Sequence, residues 1–206
     1  MPSTLASSLI SDFRDLVQDK QTPYRYEEAD IIAFLNKALA LLTFVRPDSY
    51  VVRENLQLVE GAVQTWPDSD AKIRNLLRNR GTTGTDNGRK IIAMDLNLLH
   101  AIDDNFLGAT ADAEVLHYAV DPMDHTVFYV YPPQPATPVY VEILRSSEVP
   151  TITANTDTVM VNDRFAVALP KAMAHFAYSQ DDTEENNAAL ADKNYQLFLT
   201  QVGAAN

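Results

Sequence analysis

The sequence predicts an α+β fold: a helical body made from an N-terminal and a C-terminal helix pair, with a β-rich middle region of antiparallel strands. Three observations predict it. Apolar residues recur at helical spacing near both ends of the chain. The middle carries alternating runs rich in Val, Tyr and Phe. Those runs are separated by Gly, Pro and Asp turn signals. One domain over 1–206 follows, with 1–48 and 160–206 as the helical body and 49–150 as the β-rich insertion.

Residues 4–18 read as a first helix, with Leu5, Leu9, Phe13 and Leu16 on one side and Ser7, Asp12 and Asp15 on the other. The second runs from about Glu27 to Val45. Glu27, Glu28 and Asp30 occupy its first turn, where carboxylates meet the positive end of the helix dipole, and Pro47 stops it. Ile31, Leu35, Ala38, Leu42 and Val45 form one apolar face, yet Ala33, Ala40, Leu41 and Phe44 leave little polar surface opposite. A helix apolar nearly all round must be covered nearly all round, by its own core or by a neighbouring subunit as well.

From Tyr50 the period changes. Tyr50–Val59 and Gly61–Thr65 alternate as strands, with a turn or bulge at Gly61. Residues 71–79 are open: Ile73, Leu76 and Leu77 suit a helix, and a strand alternation is poor. Gly81–Gly88 is dense in Gly, Thr, Asp and Asn and reads as a flexible loop. A short strand over Lys90–Met94 and a helical turn capped by Asp95 follow. Glu114–Val120, Thr126–Tyr131 and Val139–Leu144 are the best strands, and Asp121–Asp124 makes a hairpin turn between the first two. Pro132, Pro133, Pro135 and Pro138 predict a stiff extended connection without regular structure.

The first C-terminal helix is expected over about 162–179, with Phe165, Leu169, Met173 and Phe176 as its stripe. Pro170 predicts a kink or a late start. Asp182 and Glu185 form a capping-box-like start for the last helix, which Gly203 ends.

The net charge is −12, and it is unevenly placed: −7 falls in 101–150, whereas 51–100 sums to +1. Lys72, Arg74, Arg78, Arg80, Arg89 and Lys90 form a basic cluster interrupted only by Asp86. So acidic a chain is poorly suited to hold nucleic acid tightly, because phosphate contacts dominate that affinity. The chain has no cysteine, which removes disulfides, thiol catalysis and thiolate metal sites. No secretory signal opens it and no apolar run is long enough to span a bilayer.

No set of residues for catalysis is visible. The glycine loop lacks the spacing and the Ser/Thr of a nucleotide-binding P-loop. His100, His117, His125 and His175 are not spaced to share a metal. The carboxylate pairs fall in turn signals, where caps and Asx turns account for them. No catalytic residue, cofactor or metal is therefore expected.

Several motifs, in order, carry a likeness. Leu35-Asn36-Lys37-Ala38-Leu39 is followed by Pro47-Asp48, then Arg78-Asn79 and Gly88-Arg89-Lys90-Ile91. Next come His117–Asp121 and Thr126–Pro133, and finally Val161–Phe165 with Ala177-Tyr178, Asp181, Asn186, Ala191, Tyr195 and Phe198. Over about 27–203 the chain resembles the head-to-tail adaptor (connector) proteins of tailed bacteriophages. It departs from their pattern at Asp103–Phe106.

The resemblance implies a strand rather than a helix in 71–79, and a structural protein rather than an enzyme. It implies a homo-oligomeric, dodecameric ring beneath the portal protein that joins it to the tail (a nozzle or tail-tube protein) and passes genomic DNA through its centre. It places the protein in the virion neck, made in the host cytoplasm and without a membrane partner. Partner-binding residues are expected in the basic loop (Arg78, Arg80, Arg89, Lys90) and on the last helix (Tyr195, Phe198, Val202). The segment after Val202 is expected to approach the portal, and deletion of 196–206 to abolish attachment while sparing the fold. The rival readings are another neck or tail-completion ring component of the same virion, and an enzyme with an undetected site. A mass measurement separates the last from a ring.

Overall fold

A computed structural model describes residues 4–67, 71–180 and 186–204. The elements in chain order are α1 (Ala6–Val17), α2 (Glu28–Val45), β1 (Val51–Leu58), β2 (Gly61–Thr65), β3 (Arg74–Asn79), β4 (Ile92–Ala93), α3 (Leu96–Ile102), β5 (His117–Val120), β6 (Val127–Gln134), β7 (Val139–Ser146), α4 (Asp163–Ala166), α5 (Leu169–Gln180) and α6 (Asn187–Gln201). Short 3-10 turns sit at Pro47–Ser49 and Phe106–Gly108. This is an α+β fold. It divides into two compact units: 1–50 with 147–206, and Val51–Ser146.

In the first unit α5 lies against α1, α2 and α6. Leu9 and Phe13 of α1, Ile31, Leu35 and Leu42 of α2, Leu169 and Met173 of α5 and Phe198 of α6 share one core. Phe13, Tyr26 and Phe34 add three mutual ring contacts with centroids 5.8–6.2 Å apart. The start of α1 has no side-chain cap. Its free N–H groups are met by distant backbone instead: Ala6 N donates to Asp157 O (2.9 Å) and Ser7 N to Asn155 O (2.8 Å). α1 ends at Gln18 in a left-handed conformation (φ 59°). Next to it Asp19, buried, accepts from Arg14 (2.6 Å) and from the backbone of Arg25 (2.8 Å).

The single helix expected over 162–179 is two. α4 is capped by Asn162, whose side chain accepts from Arg164 N (3.1 Å), and α5 begins at Leu169. Pro170 falls in the first turn of α5, where its missing N–H costs no helical bond. α6 ends in a Schellman motif: Gly203 is left-handed (φ 70°), its N–H donates to Thr200 O, and Ala204 N donates to Leu199 O. The capping-box expectation at Asp182 and Glu185 lies outside the described residues.

The second unit is a stack of three layers. β1, β7 and β3 form one antiparallel sheet in that order; β2, β6, β5 and β4 form the other. Within 71–79, Arg74–Asn79 form strand β3, where Leu76 points inward opposite Ile143 and joins the inter-sheet core. That core also holds Leu58, Val141, Phe128, Val130 and Trp66. The alternate residues of β6, Tyr129 and Tyr131, face the other way, onto Leu99 of α3 and Phe106. The layers are therefore the β1-β7-β3 sheet, the β2-β6-β5-β4 sheet, then α3 with the Phe106 turn.

Two expectations about the strands are corrected. The β4–β5 pair is parallel, joined through the crossover that carries α3, so the middle region is not wholly antiparallel. β6 also continues through Pro132 and Pro133 to Gln134. The prolines are tolerated because this stretch is used as an acceptor: Pro133 O receives Asp112 N (3.0 Å) and Tyr131 O receives Leu116 N (2.8 Å).

Candidate functional site

The basic segment lies on the outer face of the β1-β7-β3 sheet. The loop after β3 folds back over that face: Asn55 donates to Gly84 O (2.7 Å), and Gly84 sits buried against the Tyr140 ring. Backbone bonds from Arg80 N to Tyr140 O (2.8 Å) and from Tyr140 N to Gly81 O (2.9 Å) fix its start. Its return is held by Asn79, buried, which accepts from Val115 N (2.8 Å) and donates to Val115 O (2.8 Å) and Arg89 O (3.1 Å). Gly88 passes so near that a Cβ there would lie 2.9 Å from Asn79 O. A loop expected from composition to be flexible is thus anchored at both ends and in the middle.

This frame brings four predicted residues together. Arg78 pairs with Glu142 (3.0 Å) on the outer face, and its antiparallel bridge to Lys90 places both side chains on one side. Arg80 donates to Asn87 (2.8 Å). Arg89 and Lys90 are exposed and enter no ion pair among the described residues.

The three residues predicted on the last helix belong to the other unit, and two of them are corrected. Phe198 is fully buried and Val202 is 2 % exposed. Both face the core of the helical unit, so neither side chain presents a surface. Tyr195 is half-buried and stacks beside His175 (centroids 5.1 Å).

The sequence reading missed a set of exposed apolar side chains. Leu98 and Ile102 lie one turn apart on α3 and are 54 % and 52 % exposed, while Leu99 between them is buried. Leu107, five residues after Ile102, is exposed too, as is Met123 in the β5–β6 turn. A shallow hollow of about 230 Å³ beside Asp95 is lined by Met94, Leu96, Tyr118, Val120 and Pro122. The available signal was a seven-residue helix, LNLLHAI, with apolar residues on more than one face. In the helical unit Phe44 and Val167 are exposed as well.

The carboxylates around α3 and the β5–β6 turn are local caps. Asp95 accepts from Asn97 N (2.8 Å); Asp121 accepts from Met123 N and Asp124 N and from the Tyr129 hydroxyl (2.8 Å). The backbone N–H of Asp124, with that of Met123 and the Tyr129 hydroxyl, holds the Asp121 carboxyl below the ordinary aspartate range, so it stays charged. Among the described residues no group of His, Asp and Glu is arranged to hold a metal, and no helix is long and apolar enough to cross a membrane.

A family model, that of the SU10 adaptor protein, matches residues 4–206. The chain belongs to the SU10 adaptor protein family. This is a family of bacteriophage head-to-tail adaptors, structural proteins of the virion neck. No curated protein matches the chain. In this SU10 adaptor protein the motif residues that carried the resemblance serve the fold. Asn36 exchanges two bonds with the backbone of Ile152 (2.9 Å each), Asp48 is held by Arg46 and Arg164, and Asn79 and Gly88 close the basic loop.

Proposed function

We propose that this SU10 adaptor protein forms a homo-oligomeric, dodecameric ring that joins the portal to the tail and lets genomic DNA pass through its centre. The observation that carries the reading is the family match over residues 4–206. The charge supports it: a chain of net charge −12 repels the DNA backbone within roughly a Debye length, about 8 Å at physiological salt, so DNA moves past without sticking. Exposed apolar side chains on both units supply the surface that subunit contacts need. The basic loop, with Arg78, Arg80, Arg89 and Lys90, is a partner-binding surface in this reading. The half-buried Tyr195 and the chain end beyond Val202 face the portal.

The test is to mix the purified chain with its cognate portal and measure particle mass and shape by native mass spectrometry and electron microscopy. A ring of adaptor on the portal is expected. A folded chain that leaves the portal bare at micromolar concentration overturns the reading. The portal-facing end needs a shorter truncation than 196–206. That deletion removes Phe198 and Val202 from the core and the Val202 carbonyl that Arg46 donates to. Removing only 203–206 keeps Phe198 and Val202, at the loss of the α6 end cap and the Ala204 contact with the core, and is expected to weaken attachment in a chain that circular dichroism shows to be folded. Unchanged attachment sinks that part.

A further inference from the structure

The β-rich unit is polarised across its three layers. The outer face of the β1-β7-β3 sheet carries Arg78, Lys90 and the anchored loop with Arg89. The opposite outer layer, α3 and the turns beside it, carries the exposed ridge of Leu98 and Ile102. Residues 94–108 and 121–124, which build that layer and its rim, contain five carboxylates and no Lys or Arg. One unit thus presents a basic, hydrogen-bonding surface on one side and an apolar surface rimmed with acid on the other. Arg74 of β3 reaches the β5–β6 turn, donating to His125 O (2.6 Å), but the loop and the Leu98–Ile102 ridge lie on opposite sides of both sheets, so a chain cannot seat one on the other.

We infer that neighbouring copies of this chain dock head to tail through these two layers, the basic loop of one seated on the Leu98–Ile102 ridge and acidic rim of the next. The occupant is a second copy because the same unit carries both halves of the charge complement. Two different faces meeting give a heterologous contact, the kind that closes into a ring when the rotation allows. The apolar ridge supplies burial and the rim charges select orientation, since like faces brought together would place acid on acid or base on base. A loop already held by Asn55, Tyr140 and Asn79 loses little freedom on docking. The inference deepens the ring reading and rests on it.

The chain has no cysteine, so position-specific crosslinking is clean. The full chain carrying Thr82→Cys and Leu98→Cys together, treated with a short bis-maleimide alone and on the cognate portal, is expected to give a ladder of linked subunits. Either substitution alone should give no ladder. Arg89→Glu/Lys90→Glu is expected to lose the ladder at low salt, and mixing that chain with an Asp104→Lys chain to restore it. Circular dichroism confirms that each variant is folded. Rings that form without linkage between positions 82 and 98, rings with linkage unaffected by the charge reversals at low salt, or dimers linked through like positions overturn the proposed contact and leave the ring reading standing. Absence of any ring, free or on the portal, overturns both.

Discussion

Asn36 and Ile152, 116 residues apart in sequence, are joined by two hydrogen bonds: the Asn36 side chain donates to Ile152 O and accepts from Ile152 N, each at 2.9 Å. The amide does what a neighbouring strand would do, matching one donor and one acceptor of an extended segment. It sits in mid-helix on α2, where asparagine is a modest helix former, so tertiary pairing outweighs local preference.

Asn36→Ala is expected to destabilise the protein by about 1–3 kcal/mol, because it strands an N–H and a C=O of Ile152. Asn36→Asp should be no better, since its second oxygen would face the Ile152 carbonyl. Urea unfolding followed by circular dichroism measures both; an aspartate variant as stable as the parent would contradict the pairing.

Phe198 and Tyr195 share α6 but not its environment. Phe198→Ala empties a fully buried site and is expected to cost about 3–5 kcal/mol. Tyr195→Ala, at a half-buried position, should cost clearly less. Thermal melts rank the two, and equal losses would mean that Phe198 is not a core residue.

Asp48 provides a pH signature. Its carboxyl receives Arg46 Nε and Nη2 (2.8 Å each), and those hydrogen bonds lead in holding it below the ordinary aspartate range, with the Arg46 and Arg164 charges adding to them. A carboxyl depressed in the folded state contributes stability at neutral pH and loses it as pH falls below about 4 and through the folded value. Asp48→Asn, at a partly exposed site, should cost no more than about 1 kcal/mol at pH 7. The gap between parent and variant should shrink as acid is added. A gap in urea midpoint that is the same at pH 7 and at pH 3 would rule the ion pair out as its source.

Gly88 and Gly61 are required for different reasons. At Gly88 a methyl group would press on the Asn79 carbonyl at 2.9 Å, so Gly88→Ala is expected to cost about 1–3 kcal/mol and to loosen the loop. At Gly61 nothing lies within 4 Å, and only the left-handed φ of 96° resists a side chain, at about 1–2 kcal/mol. Hydrogen exchange at the Asn79 and Val115 amides, which donate to Arg89 O and to the Asn79 side chain, separates the cases: Gly88→Ala should speed it and Gly61→Ala should not.

The amino-acid order by itself determined what depends on near neighbours. Carboxylates at its start and Pro47 at its end bounded α2. Alternation marked β6 and β7, Asp95 capped α3, and the Asp121–Asp124 turn joined β5 to β6; all are legible because spacing and capping act within a few residues. Tertiary structure decided which of several equivalent apolar residues are covered. Phe198 and Leu98 both lie on helices, yet one is sealed in a core and the other stands open, because α5 lies against α6 whereas no described element covers that side of α3. It also decided that 74–79 is a strand, that the glycine-rich loop is anchored, and that the backbone at 155–157 caps α1. Each of these depends on a partner dozens of residues away, and burial and backbone pairing are properties of what lies opposite, which local pattern does not encode.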